Sequence, residues 1–293
     1  MRKLDYLFKY SLVFIFLLSL RSAGYSQSAS KYHIIQLDYD IKSNFNFPLQ
    51  WAKGTTKYSY DVNGNLISIK TFDKYDLTNV RKFDFSHSLN KTIITQPNGV
   101  TGFLTLDAQG RVIEANYYSA LLEHSQTFPY IYKFKYSADG YLVRITSYYY
   151  DSFAKDPEPQ QIHTIYQLNY ENGNLISMKT VYVDDSDYVA PDYDFTYSDK
   201  IATPNWNPTI GLFINQQTDK YPLYAIPNNL FGKQSKNLLK TISQKVPGDY
   251  NVETEISVYN ISYSFNSDGS VSQIIIPRGD VNSTFNLTYN KPN

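Results

Sequence analysis

Residues Tyr58 to Ile69 read Y-S-Y-D-V-N-G-N-L-I-S-I, and this stretch decides the fold. Tyr58 and Tyr60 share one face of an extended segment, and Ile67 and Ile69 share one face of the next. Between them lie Asp61, Asn63 and Gly64. Glycine accepts a positive φ and Asp or Asn bonds its own backbone, so the segment is expected to reverse there. The unit reads as an antiparallel β-hairpin.

Variants of it recur to the end of the chain. Arg81–Ser86 and Lys91–Gln96 flank a turn at Ser88–Asn90, and Gly102–Leu106 and Arg111–Tyr117 flank one at Asp107–Gly110. Tyr132-Lys-Phe-Lys-Tyr136 places three aromatics on one face and two lysines on the other, before a turn at Ser137–Gly140 and a strand to Ile145. Ile165–Tyr170 and Asn174–Val183 enclose Glu171-Asn-Gly173, and Glu253–Phe265, Val271–Ile276 and Thr284–Tyr289 complete the series. Gly64, Gly110, Gly140 and Gly173 stand 46, 30 and 33 residues apart, the spacing of paired strands with their connections. The expected fold is all-β, an antiparallel meander of hairpins curling towards a barrel.

One region departs from the pattern. Asn207-Pro208 offers a helix cap followed by Pro at the first helical position, and Ile210, Phe213 and Ile214 make an apolar stripe. A short helical or irregular insertion is therefore expected near 207–217. Leu230–Lys240 reads as a basic, exposed segment before the last strands.

The N-terminus has the pattern of a secretory signal peptide. Arg2, Lys3 and Lys9 precede the uncharged run Tyr10–Leu20, and Gly24 and Ser26 suit a cut before Gln27. The run is shorter than the ~20 apolar residues of a spanning helix. Residues 27–293 are then expected to form a single β-rich domain. Loss of residues 1–26 removes four basic groups (Arg2, Lys3, Lys9, Arg21) and one acidic group (Asp5) from a precursor with 27 of each sign. The remainder is mildly acidic, which argues against nucleic acid and anionic membrane surfaces as partners. With no cysteine in 293 residues there is no disulfide, thiol nucleophile, zinc–thiolate site or lipid-bearing N-terminal Cys.

Chemistry-bearing motifs are sparse. His33, His87, His124 and His163 are scattered, with no H-E-x-x-H spacing, no G-x-S-x-G elbow, no Walker loop and no dinucleotide fingerprint. No metal or other cofactor is expected. Asp184, Asp185, Asp187, Asp192 and Asp194 could offer calcium oxygen ligands, but their spacing is not that of an EF-hand and a solvated acidic connection is the better reading. Tyr148, Tyr149 and Tyr150 run into the polar stretch Asp151–Gln161 with Pro157 and Pro159. Three consecutive tyrosines cannot all face one side of a strand, and a ring with a polar edge suits stacking on a glycan or peptide. These three are the candidate ligand-binding residues, with strand packing on a tyrosine-rich sheet as the plainer alternative.

Two resemblances rest on these residues. Tyr60, Asp61, Gly64, Asn65 and Leu66 are similar to the tyrosine–aspartate unit of RHS-type repeats, and Leu106–Val112 and Tyr136–Leu142 match it in part. The layout as a whole, with its degenerate hairpins, the Asn207–Gln217 interruption and Gly232–Leu238, resembles a family of secreted or lipid-anchored Bacteroidetes domains of unknown function with a porin-like fold. That resemblance implies an antiparallel barrel-like sheet and supplies no activity. The functional expectation is an exported, non-enzymatic protein of the bacterial envelope that binds a glycan or peptide or serves structurally. It is expected in the periplasm, at the cell surface or outside the cell, without spanning a membrane. The alternatives are a periplasmic carrier of an apolar ligand in a barrel-like cavity, and a hydrolase with an unrecognised site.

Overall fold

The computed structural model describes residues 33–41, 52–62, 64–73, 80–95, 101–120, 127–149, 161–183, 192–201, 228–246, 255–278 and 281–290. The strands in chain order are β1 (His33–Ile41), β2 (Ala52–Tyr60), β3 (Leu66–Asp73), β4 (Val80–Ser88), β5 (Lys91–Thr95) and β6 (Thr101–Leu106). They continue as β7 (Val112–Ala120), β8 (Thr127–Tyr136), β9 (Leu142–Tyr149), β10 (Gln161–Glu171), β11 (Asn174–Tyr182) and β12 (Asp192–Ile201). A 3-10 turn at Asn228–Phe231 precedes β13 (Asn237–Val246), β14 (Glu255–Asn260), β15 (Ser262–Phe265), β16 (Val271–Arg278) and β17 (Val281–Asn290).

All belong to one antiparallel sheet in which chain neighbours pair, and β1 lies between β17 and β2, so the two chain ends of the sheet meet. Antiparallel pairing of successive strands is what short hairpins produce. The expected meander curls almost completely into a barrel. One discontinuity remains. The strand read as Glu253–Phe265 breaks at Ile261 into β14, which pairs with β13, and β15, which pairs with β16.

Period-two alternation sends one face of each strand inward. Tyr132 and Phe134 are buried while Lys133 and Lys135 are exposed, as their alternation requires. The inward side chains merge into one core that includes Leu37, Phe83, Ile94, Leu104, Ile145 and Ile274. The residue following each glycine turn is among the best buried: Leu66, Val112, Leu142, Leu175 and Val271 are all at 3% exposure or less. Burial of such a side chain is worth about 1.5–3 kcal/mol, so each repeat anchors itself.

The turns share one geometry. In 61–65, 107–111, 137–141 and 266–270 the N–H of the first residue donates to the carbonyl of the fifth, and the glycine N–H donates to the first carbonyl. The side chains of Asp61, Asp107 and Ser137 accept the N–H of Asn65, Arg111 and Tyr141. Gly64, Gly110, Gly140 and Gly269 hold φ between +75° and +90°, which explains why the fourth place is glycine.

Beside the turns, tyrosines tie several strands to an earlier one. Tyr60 Oη donates to the Ile34 carbonyl (3.0 Å), Tyr136 to Val112 (2.6 Å) and Tyr197 to Leu175 (2.8 Å). Tyr263 does the same to Leu239 and Tyr289 to Val271, both at 2.8 Å. His87 takes the tyrosine's place in β4, its Nε2–H donating to the Leu66 carbonyl at 2.6 Å while Nδ1 meets Thr92 Oγ1.

The segment from Leu230 to Lys240 differs from the exposed reading. Phe231 is 1% exposed and packs against Phe134 with ring centroids 5.3 Å apart. Lys233 N–H donates to the Gly140 carbonyl and Lys236 N–H to the Gly173 carbonyl, each at 2.9 Å. Ser235 is buried, its hydroxyl accepting Leu175 N–H and meeting Tyr197 Oη. The lysines are exposed as their charge demands, but the backbone between them laces the tips of two hairpins together. The expected 207–217 insertion lies outside the described residues.

Candidate functional site

Strand direction gives the barrel two unlike ends. The tight turns after β2, β4, β6, β8, β10 and β15 gather at one end, together with the lacing segment 228–236. The connections 42–51, 74–79, 121–126, 150–160, 184–191 and 247–254 leave from the other, while the longest, 202–227, follows β12 and leaves from the tight-turn end. Rigid strands presenting long connections at one end are the usual setting for recognition.

Tyr148 stands at that second end, near the close of β9, half-buried and opposite Ile131 and Ile162. The Lys133 ammonium lies 4.9 Å from its ring centroid, an outward cation–π contact that holds the ring in place. Arg144 Nε donates to Thr146 Oγ1 on the same strand. Tyr149 ends β9 and pairs with Gln161. Tyr150 and residues 151–160 lie outside the described residues.

Beneath these positions is a feature that sequence reading missed. Tyr132, Ser147, Thr164 and Tyr182 are register partners across β8, β9, β10 and β11, so four hydroxyl side chains form one inward row. Tyr132, Ser147 and Thr164 are at most 3% exposed. Tyr166 lies one step further in, and burial drives its phenol well above the usual range, with Tyr132, Tyr182 and Tyr193 adding to the effect. Gln244 Nε2 donates to Tyr193 Oη at 3.3 Å. Lys133, Lys179 and Lys245 fall on the exposed face, so this half of the interior is polar without charge at those positions. Alternation alone signals each inward hydroxyl, but their alignment depends on register across four strands.

The remaining candidates are dispersed. His33 stacks on Tyr60 at 4.6 Å, His87 secures β4, and His163 meets the Tyr182 ring edge-on at 5.8 Å. His124 lies outside the described residues, as do Asp184, Asp185 and Asp187. Asp194 pairs with Lys245 at 2.5 Å, and that hydrogen bond raises the lysine's pKa. Among the described residues no three His, Asp or Glu side chains converge as metal ligands. A cleft of about 310 Å³ opens at the tight-turn end, where β1, the β2–β3 turn and the end of β17 meet.

Comparison with solved structures places this architecture beside two porin-like proteins. One, from Bacteroides uniformis ATCC 8492, matches 92% of this chain and 100% of its own with a TM-score of 0.59 at 18% identity. The other, from Bacteroides vulgatus ATCC 8482, matches 88% of this chain and 98% of its own with a TM-score of 0.51 at 14% identity. At these identities the likeness is one of fold. A comparison with curated proteins found no match. The family model for a domain of unknown function with porin-like fold, DUF4595, matches residues 58–273, from the first complete hairpin to the start of β16. The chain belongs to the DUF4595 family of porin-like domains.

Proposed function

We propose that this barrel is an exported, non-enzymatic binding protein of the bacterial envelope, taking hold of an extended glycan or peptide at the end that carries Tyr148, Tyr149 and Tyr150. The observation that carries the reading is the asymmetry of the ends. One is fastened by turn glycines, tyrosine hydroxyls and the 228–236 lacing, and at the other the strands end without tight glycine turns, at six connections of six to eleven residues. Tyr148, held by Lys133, offers a ring and a hydroxyl at low conformational cost, which suits recognition.

Exposed Lys57, Lys70, Lys133, Lys135 and Lys179 on the outer wall support a barrel surrounded by water. A lipid-facing wall would need an apolar band there. Among the described residues no helix is long and apolar enough to cross a membrane. The tightly buried interior favours surface binding over a carrier's open cavity.

A glycan and peptide array, run with the protein and with Tyr148, Tyr149 and Tyr150 all changed to Ala, tests this. Binding is expected for the parent and to fall at least about tenfold in the triple variant, the loss of one or more aromatic contacts. Undiminished binding by the variant would move the site elsewhere. Turnover of any arrayed compound would reject the non-enzymatic reading.

A further inference from the structure

Strand register assembles a row of cations on the outer wall. Lys57 on β2 stands directly opposite Lys70 on β3, and Lys70 directly opposite Lys82 on β4. All three side chains are exposed. Neighbouring strands lie about 4.8 Å apart, so the three lysines are anchored within about 10 Å of wall. Like charges directly opposite across a sheet repel and destabilise it, and an anion laid along the row relieves that repulsion. We propose that this row binds an anionic polysaccharide, which crosses the strands and brings its acid groups to the lysines.

The row continues in neutral polar groups. Lys57 is opposite Gln36 on β1, and Gln36 is opposite Thr288 on β17, so an amide and a hydroxyl extend the line of cations. Ser59 and Ser68 are register partners in the row one step nearer the turns. Ammonium groups take carboxylates or sulfates, while amide and hydroxyl side chains both donate and accept. That combination matches a chain that carries acid groups and free hydroxyls together. The spacing of about 4.8 Å is also close to the advance of one sugar unit, so each step across the sheet meets a new unit.

Two of the lysines are steadied by neighbours. The Lys57 ammonium lies 5.7 Å from the Phe72 ring centroid, and Lys82 pairs with Asp84 at 2.8 Å in a bridge whose two side chains are both about half exposed. On β1, the Asp38 carboxylate accepts from Gln36 and Thr55. Among the described residues of these rows the cations therefore outnumber the carboxylates. The local charge is positive although residues 27–293 as a whole are mildly acidic. Each of β2, β3 and β4 already has a strand on both sides, so an extended peptide cannot add here as a further strand, and the surface favours a glycan. The row centres on β3, six strands from the Tyr148 strand β9, and its test is independent of the reading above.

Calorimetry with the purified protein at low and at physiological salt provides that test. The probes are polygalacturonate and chondroitin sulfate, with dextran as the uncharged control and single-stranded DNA and phosphatidylglycerol vesicles as other anionic surfaces. At least one of the two acidic polysaccharides is expected to bind, more tightly than dextran, DNA or vesicles and less tightly as salt rises. Lys57→Gln, Lys70→Gln and Lys82→Gln combined should weaken it about tenfold or more, while thermal unfolding stays cooperative. The charge-matched combination of Lys135→Gln, Lys179→Gln and Lys240→Gln should stay within about twofold of the parent, as screening confines the effect to the row. The Tyr148→Ala protein should bind as the parent does. Binding of neither acidic polysaccharide, an equal loss in the charge-matched or Tyr148→Ala protein, or a preference for dextran, DNA or vesicles would overturn the assignment.

Discussion

Above pH 10 this barrel is expected to lose its fold in one cooperative step. The cause is the set of tyrosines built into its interior and its strand ends. Burial pushes the phenols of Tyr60, Tyr136, Tyr166, Tyr170, Tyr263 and Tyr289 well above their ordinary value, because a phenolate cannot be solvated there. In the unfolded chain the same groups titrate near 10. The folded values are the raised ones, so the stability these groups contribute is fully present below pH 10. It is lost as pH rises from there towards the folded values, because the native state then holds protons that the unfolded state has released. Each such group costs about 1.4 kcal/mol per pH unit, so six together approach about 8 kcal/mol per unit. Against a typical total of about 5–15 kcal/mol, one to two units suffice. Circular dichroism and tyrosinate absorbance followed together from pH 8 to 12 check this. The β signal and the late fraction of tyrosinate should change in the same narrow interval. Smooth titration of every tyrosine near pH 10 with the β signal intact would contradict it.

Gly232→Ala should be the most damaging single substitution in the lacing segment. Gly232 sits at φ +82°, and a Cβ there would stand 2.5 Å from the Gly140 carbonyl oxygen and 2.8 Å from Tyr136 Cε1. Neither neighbour can yield cheaply. The Gly140 carbonyl accepts the Lys233 N–H, and Tyr136 is held by its bond to Val112 and by Arg111, whose guanidinium lies 4.4 Å from its ring centroid. Positive-φ strain and overpacking each cost about 1–3 kcal/mol, so the expected loss is about 3–5 kcal/mol. Gly110→Ala is the control. It has a comparable φ of +75° but nothing within 4 Å, and should cost only the strain, about 1–2 kcal/mol. Denaturant unfolding of the two proteins measures the difference, and equal midpoints would show that 232 does not press on the 136–140 hairpin.

How much of this was legible in the sequence depended on whether the interaction was local. The hairpin turns were, because Asp61, Gly64, Gly140 and their equivalents answer to φ and to side-chain bonds within five residues. The faces of Tyr132–Tyr136 were, because alternation needs no partner. The closure of the ring was not. His33–Ile41 reads as a plain strand, and nothing in it says that its neighbours are β2 and a strand some 250 residues later. The strand-end tyrosines carried a visible pattern in Tyr60 and Tyr136, each just before a turn, but their acceptors are carbonyls about two dozen residues back. Leu230–Lys240 misled because lysines at 233, 236 and 240 suggested solvent, while the burial of Phe231 and Ser235 arises from hairpin tips at 140 and 173. Tyr148 was found as a feature of composition at the end of a strand. The inward hydroxyl row and the cleft of His33, Asp61 and Asn290 exist only through register and closure.

That closure is the central structural claim, and a chain without cysteines allows a direct test of it. Asp38 and Asn286 face each other across β1 and β17, and Asp38 and Thr55 across β1 and β2. Two double variants, Asp38→Cys with Asn286→Cys and Asp38→Cys with Thr55→Cys, are oxidised in the folded state and analysed by mass spectrometry. A third, Asp38→Cys with Lys133→Cys, places the partner on a distant strand. Disulfide formation within the monomer in both adjacent pairs and not in the third is the predicted result. Failure of the Asn286 pair while the Thr55 pair forms would show an open sheet, and would contradict the account of a ring joined by β1.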